Sequence, residues 1–172
     1  MMQIYIPATL AMLQQLVVDG SLWPVNGTAF AVTPRLREAY AEGDDDELGE
    51  VALRDAALAS LRLLAAAADA AGQSTEELPP RRVVLVADVD DVKLRPDLDD
   101  AVVRIGAPVA MDDVVAAFVD NAAAEAHATA AIAVVDSADL GDEDAELTVG
   151  DAQDHDLAWY AAQELPFLLD LL

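Results

Sequence analysis

Cysteine is absent from this chain of 172 residues. That removes disulfides, thiolate metal ligands and a cysteine nucleophile together, and it leaves the redox compartment open. Aromatics are scarce, eight in all, so a core has to be aliphatic and built from Ala, Val and Leu. No run of about 18 uncharged apolar residues occurs, which argues against a membrane-spanning segment. The opening stretch Met1–Pro7 has no basic region ahead of it, and Asp19 soon interrupts the apolar residues beyond it. It does not read as a secretory signal, and a cytoplasmic location is the expectation. Basic residues are few and lopsided: all nine, from Arg35 to Arg104, fall at or before position 104. Residues 105–172 hold fifteen acidic side chains and no Lys or Arg, and so carry −15 of the net charge of −24. Phosphate contacts need Lys and Arg clusters, so direct DNA or RNA binding is disfavoured.

What is present is a chain able to fold. Hydrophobic residues make up 55% of it, too many for a disordered acidic polymer. The length suits one domain spanning residues 1–172. Residues 3–7 alternate and read as a strand ending at Pro7. Thr9 is placed to cap a helix carrying Leu10, Leu13, Leu16 and Val17, which Asp19-Gly20 ends. Thr28–Thr33 reads as a second strand, followed by Thr33 as a cap and Pro34 in a first helical turn. Gly43–Glu47 breaks that helix and opens the next with acidic side chains, which favour a helix N-terminus.

Leu48–Ala71 reads as a long Ala-rich helix with a broad apolar stripe through Leu48, Val51, Leu58, Leu61 and Ala65. Gly72 stops it, and residues 73–81 form a polar connection. Val83–Val86 is a continuous apolar run typical of a strand covered on both faces. Asp88–Asp100 reads as a loop and Ala101–Ile105 as a further strand. Val114–Val119 fits strand or helix. Ala122–Val135 reads as a helix, residues 136–156 as an acidic loop region, and Leu157–Leu172 as a C-terminal helix interrupted at Pro166. The order β-α-β-α-β predicts an α/β domain whose partly parallel or mixed sheet is flanked by helices.

Motifs that carry chemistry are few. The chain lacks a Walker-type phosphate loop, a glycine-rich dinucleotide fingerprint and the G-x-S-x-G elbow. Calcium loops fail in three registers: from Asp88 the fifth position is Val92, from Asp139 the third is Gly141, and from Asp142 the glycine position is Leu147. With only His127 and His155, a His-rich metal site cannot be assembled, and no metal or cofactor is implied. His127 reads as a surface or packing residue of a helix. His155 lies between Asp154 and Asp156, where a plain surface role outranks acid–base work.

Two candidate sites remain. In a parallel sheet, ligands bind outside the carboxyl ends of the strands. Thr9, Thr33, Arg35 and Asp88 follow predicted strands and would converge there on a small anion, with helix capping as the simpler role of both threonines. The second candidate is the acidic C-terminal third, with Asp142, Glu143, Asp144 and Glu146 as docking groups for a basic protein. There the aromatics Trp159 and Tyr160 either anchor the partner or pin the chain end to the core. A solubilising face is the plain reading of such a charge run, and one-sided repulsion is a reason to consider the sharper one.

Three stretches, Gln3–Leu10, Ala29–Glu38 and Leu157–Leu165, resemble an uncharacterised family of small acidic actinobacterial proteins along the whole chain. The abundance of Ala, Asp and Val beside a single Lys fits a high-GC genome of that kind. The resemblance implies a bacterial cytosolic protein and carries over no catalytic residue. The functional expectation is therefore a non-enzymatic interaction protein that docks a basic protein surface. The alternative is a small-molecule (anion) binding protein or enzyme working at the strand ends.

Overall fold

The computed structural model describes residues 1–40, 42–71 and 78–172. Strand β1 (Met2–Ala8) leads into helix α1 (Leu10–Asp19), strand β2 (Ser21–Leu22) and strand β3 (Thr28–Phe30). Helix α2 (Pro34–Ala39) and the long helix α3 (Asp45–Ala71) follow, then strands β4 (Val83–Val89), β5 (Val92–Leu94), β6 (Val102–Ile105), β7 (Val109–Ala110) and β8 (Val114–Val119). Helices α4 (Glu125–Asp139) and α5 (Glu143–Gln153), strand β9 (Ala158–Ala161) and helix α6 (Leu165–Asp170) complete the chain. The expected helix stop at Gly72 and residues 73–77 of the polar connection lie outside the described residues.

The mixed α/β class holds, but the sheet is not partly parallel. Seven strands lie in the order β5-β6-β3-β1-β4-β8-β9, with every neighbouring pair antiparallel. A separate ribbon joins β2 to β7, also antiparallel. The reason lies in what separates the helices. Between α1 and β3 the chain makes an additional traverse through β2 and a 3-10 turn at Val25–Gly27, so β3 returns against β1. Since β3 and β4 are both antiparallel to β1, the α2–α3 crossover joins two strands of like direction with β1 lodged between them. Alternating β and α segments cannot reveal such an intervening strand.

Alternation along the central strands divides the core into two faces. Ile4, Ile6 and Ala8 of β1, with Val83 and Leu85 of β4, meet Leu10, Leu13 and Leu16 of α1 and Leu165 and Leu168 of α6. On the other face Phe30, Val84 and Val102 pack under Leu36, Leu48, Ala52 and Ala56. Leu48, Leu61 and Ala65 of the stripe read in the sequence are buried, and beside them lie the small residues Ala52, Ala56 and Ser60 at 0% exposure. Small side chains let the helix approach the sheet closely enough for Ser60 to reach it. Its Oγ donates to the Ala8 carbonyl at 2.7 Å and accepts from the Val83 N–H at 3.0 Å. Pro7 is tolerated inside β1 because β3 pairs with β1 only at Tyr5 opposite Phe30, so position 7 has no ladder neighbour on that side.

Several local expectations hold. Thr9 accepts from the Met12 N–H and Thr33 from the Leu36 N–H. Gly20 ends α1 in the left-handed region at φ 80°, and Asp44 accepts from the Glu47 N–H at the start of α3. Val114–Val119 is a strand. Four expectations need correction. The loop expected over Asp88–Asp100 contains β5, and Asp88 itself lies in β4. The expected Thr28–Thr33 strand ends at Phe30. The acidic region 136–156 is not a loop, since α4 continues to Asp139 and α5 spans Glu143–Gln153. Ala145, Val149 and Ala152 give α5 one narrow buried face against Leu61 and Ala65 of α3 and Ala128, Ala131 and Val135 of α4, while its acidic residues point outward. Leu157–Leu172 is not a single helix either. Ala158–Ala161 pairs with β8, and Pro166 sits in the first turn of α6, where a missing N–H costs nothing.

Candidate functional site

The four strand-end residues do not gather. Because β3 and β4 run against β1, the carboxyl end of β1, where Thr9 caps α1, lies at the opposite end of these strands from Thr33 and Asp88. Thr33 is buried, donating through Oγ1 to the Asp100 carbonyl while capping α2. Arg35 is exposed and forms an ion pair with Asp100 at 3.4 Å. Thr33, Arg35 and Asp100 border a cavity of only about 30 Å³, the size of one water. Asp88 stands opposite Gln3 in the β1–β4 ladder. Convergence of the four followed from a parallel sheet and fails with it.

The acidic third is arranged more coherently. Gly141, at φ 95°, turns the chain between α4 and α5, and Asp142 caps α5 by accepting from the Ala145 N–H at 3.0 Å. Glu143, Asp144 and Glu146 lie exposed in the first turn, where the helix dipole favours negative charge. Arg62 of α3 reaches Asp139 with two hydrogen bonds at 3.0 and 2.9 Å. Among the described residues no ion pair reaches Asp142, Glu143, Asp144, Glu146 or Asp151.

Trp159 and Tyr160 are adjacent in β9 and therefore face opposite ways. Trp159 is 58% exposed and borders a shallow hollow of about 240 Å³ with Tyr5, Val86, Val115 and Phe118. Tyr160 packs on the core cluster beneath α1 and α6. One aromatic pins the strand and the other is available at the surface.

A larger hollow of about 450 Å³ opens between α3 and the α5–β9 connection, bordered by Glu50, Leu53, Arg54, Arg82, Gln153, His155, Asp156 and Leu157. At its floor is a buried ion pair. Arg82 is 1% exposed and Asp120 likewise, and they face each other because Val83 pairs with Val119 across β4 and β8. The Asp120 carboxylate accepts from the Arg82 main-chain N–H and Nε at 2.9 Å each and from Nη2 at 2.8 Å. Nη1 donates to Gln153 Oε1 at 2.8 Å and Nη2 to the His155 carbonyl at 2.9 Å. Four of the five guanidinium donors are thereby engaged. Arg82 acts as a strut that ties the α5–β9 connection to the sheet, and Arg54 is the cation the hollow presents to solvent.

His155 extends from this connection to His127 on α4. Their ring centroids are 4.7 Å apart, and His127 Nδ1 is in hydrogen-bonding contact with His155 Nε2. No group of three or more His, Asp or Glu side chains is arranged to hold a metal among the described residues. Elsewhere on α3, half-buried Asp55 has its carboxyl pushed up to about 6, first by burial and then by the negative charge of Asp99. Sequence reasoning singled out none of Arg82, Asp120, Gln153, Ser60 or Asp55. Arg82 and Asp120 did carry a signal, standing directly before and directly after two apolar runs that prove to be partners.

The fold and site define an α/β protein with an antiparallel seven-stranded sheet, an acidic helical hairpin and a polar hollow braced by a buried ion pair. The chain belongs to a family of unknown function (DUF6912), whose model matches residues 2–169. Membership agrees with the resemblance to an uncharacterised family. Comparison with curated proteins and with solved structures found no match. Among the described residues no helix is long and apolar enough to cross a membrane.

Proposed function

We propose that this is a non-enzymatic cytosolic interaction protein that docks a basic surface of another protein through the acidic hairpin of α4 and α5. The observation that carries this reading is the exposed carboxylate group Asp142, Glu143, Asp144, Glu146 and Asp151, to which no ion pair is made within the described chain. Residues 105–172 contribute no Lys or Arg to soften that field. Such a face speeds encounter with a cationic partner and makes association sensitive to salt. The test is capture from lysate at low and high salt, comparing the native chain with an E143Q/D144N/E146Q variant. A basic protein retained at low salt, released at high salt and lost with the variant is expected. Recovery of no basic protein at low salt overturns the reading.

A second reading, a small-molecule (anion) binding protein or enzyme, draws support from one observation, the 450 Å³ hollow with Arg54 at its mouth. Ligand screening by thermal shift on the native chain and on Arg54→Ala tests it. Stabilisation by a small anion that the variant abolishes supports this reading, and no stabilisation of the native chain by any ligand counts against it.

A further inference from the structure

We propose that His127 and His155 together form a binding site for a late first-row divalent transition ion, the class of copper(II), nickel(II) and zinc(II). They are the only histidines in the chain, come from positions 28 residues apart, and meet ring nitrogen to ring nitrogen, Nδ1 of one against Nε2 of the other. In the metal-free protein one ring must donate and the other accept across that contact. With the ring protons moved to His127 Nε2 and His155 Nδ1, both facing nitrogens present lone pairs to the space between the rings. Metal–nitrogen bonds of about 2.0–2.1 Å set two ligating nitrogens roughly 3 Å apart. With the centroids 4.7 Å apart the two nitrogens face each other nearly head-on, so reaching that geometry requires both rings, which lie at the surface, to swing as well as to separate.

Both ligands stand on supported elements. His127 is part of α4, which packs on α3 through Ala128 and Ala131. The main chain of His155 is fixed by the Arg82 bond to its carbonyl. Such support holds the two main-chain positions in place before the ion arrives. Exposed Asp154 and Asp156 flank His155, and the net charge of −24 raises the local concentration of any cation. Acidity alone would favour magnesium or calcium equally. The imidazole pair supplies the discrimination, because nitrogen donors suit copper, nickel and zinc whereas magnesium and calcium take oxygen. With two protein donors the remaining coordination positions belong to water, so the site is open to exchange.

The experiment titrates the full-length protein with copper(II), nickel(II) and zinc(II) by calorimetry in a background of millimolar magnesium. It is repeated on H127A, H155A and the double variant, with metal-free thermal unfolding of each as a check on the fold. Copper loading is also followed by electron paramagnetic resonance. One ion per chain is expected, with affinity falling at least tenfold in either single variant and copper hyperfine structure from two nitrogens reduced to one. Binding that survives in H127A/H155A, or that magnesium displaces, assigns the ions to surface carboxylates and overturns the proposal. Absence of stoichiometric binding by the native chain overturns it as well.

Discussion

Replacing Asp120 with Asn removes one charge from the Arg82–Asp120 pair while keeping its shape. Three hydrogen bonds join the two residues, at 2.9, 2.9 and 2.8 Å, and the Arg82 side chain is 2% exposed against 0% for Asp120. An Asn amide in that place keeps one accepting oxygen and turns an N–H donor toward the guanidinium or the main-chain N–H. The guanidinium is left buried, with Gln153 Oε1 and the His155 carbonyl as its remaining native acceptors. Breaking a buried pair from one side costs about 3–5 kcal/mol, against a total stability of about 5–15 kcal/mol for a domain. Urea unfolding followed by circular dichroism should therefore show D120N losing about a fifth or more of the native stability. R82M/D120L removes both charges and leaves the residue 82 main-chain N–H and the two neutral acceptors without partners, but no uncompensated buried charge, so it should cost less than D120N. A D120N cost under about 1 kcal/mol, below the usual range for a buried pair, refutes the reasoning, and so does a double variant worse than the single.

Two further substitutions probe α3. Asp55 has a carboxyl pushed up to about 6 from an ordinary 3.8, so the folded chain holds that proton more tightly than the unfolded one. Its ionisation therefore costs stability: the fold gains as pH falls from about 7 to about 4 and loses as pH rises through about 6. Because Asp55 is only half-buried, solvent screening limits the cost to about 1 kcal/mol. Asp55→Asn should be more stable than the native chain by about that amount at pH 7.5 and indistinguishable from it near pH 4, by denaturant unfolding at both. An equal gain at both values would rule out titration as the cause. Ser60→Ala strands the Ala8 carbonyl and the Val83 N–H, which Ser60 joins at 2.7 and 3.0 Å. It should cost about 2–3 kcal/mol in urea unfolding, the penalty for buried polar groups left without partners. A cost within experimental error would mean that other groups or water satisfy them.

What the sequence made legible acts over a few residues. Thr9 and Thr33 cap helices whose first turns begin one residue later, and Gly20 and Pro34 mark a stop and a start by their own backbone preferences. The acidic opening of α3 is local in the same sense. Helix α5 was hidden for a physical reason: its buried face is three small residues, Ala145, Val149 and Ala152, set among carboxylates that read as loop. β9 was hidden because Ala158–Ala161 has no strand periodicity to separate it from a helix, and its identity depends on β8.

The candidate sites show the same division more sharply. Placing Thr9, Thr33, Arg35 and Asp88 together required strand neighbours and directions, and lodging β1 between β3 and β4 reversed one of three. A second antiparallel pairing, on the far side of β4, creates the site that was missed. Because β4 and β8 are antiparallel with Val83 opposite Val119, the residue before one run meets the residue after the other, and those are Arg82 and Asp120. Each is ordinary alone, a charge bounding an apolar strand. Only their pairing makes burial tolerable, since an isolated ion in that position would be driven to solvent. Once paired, Arg82 has donors left for Gln153 and the His155 carbonyl. It thereby fixes the chain from α5 into β9, and with it the position of His155 against His127. The arrangement of the chain's two histidines thus rests on a strand register, which no local pattern around either histidine records.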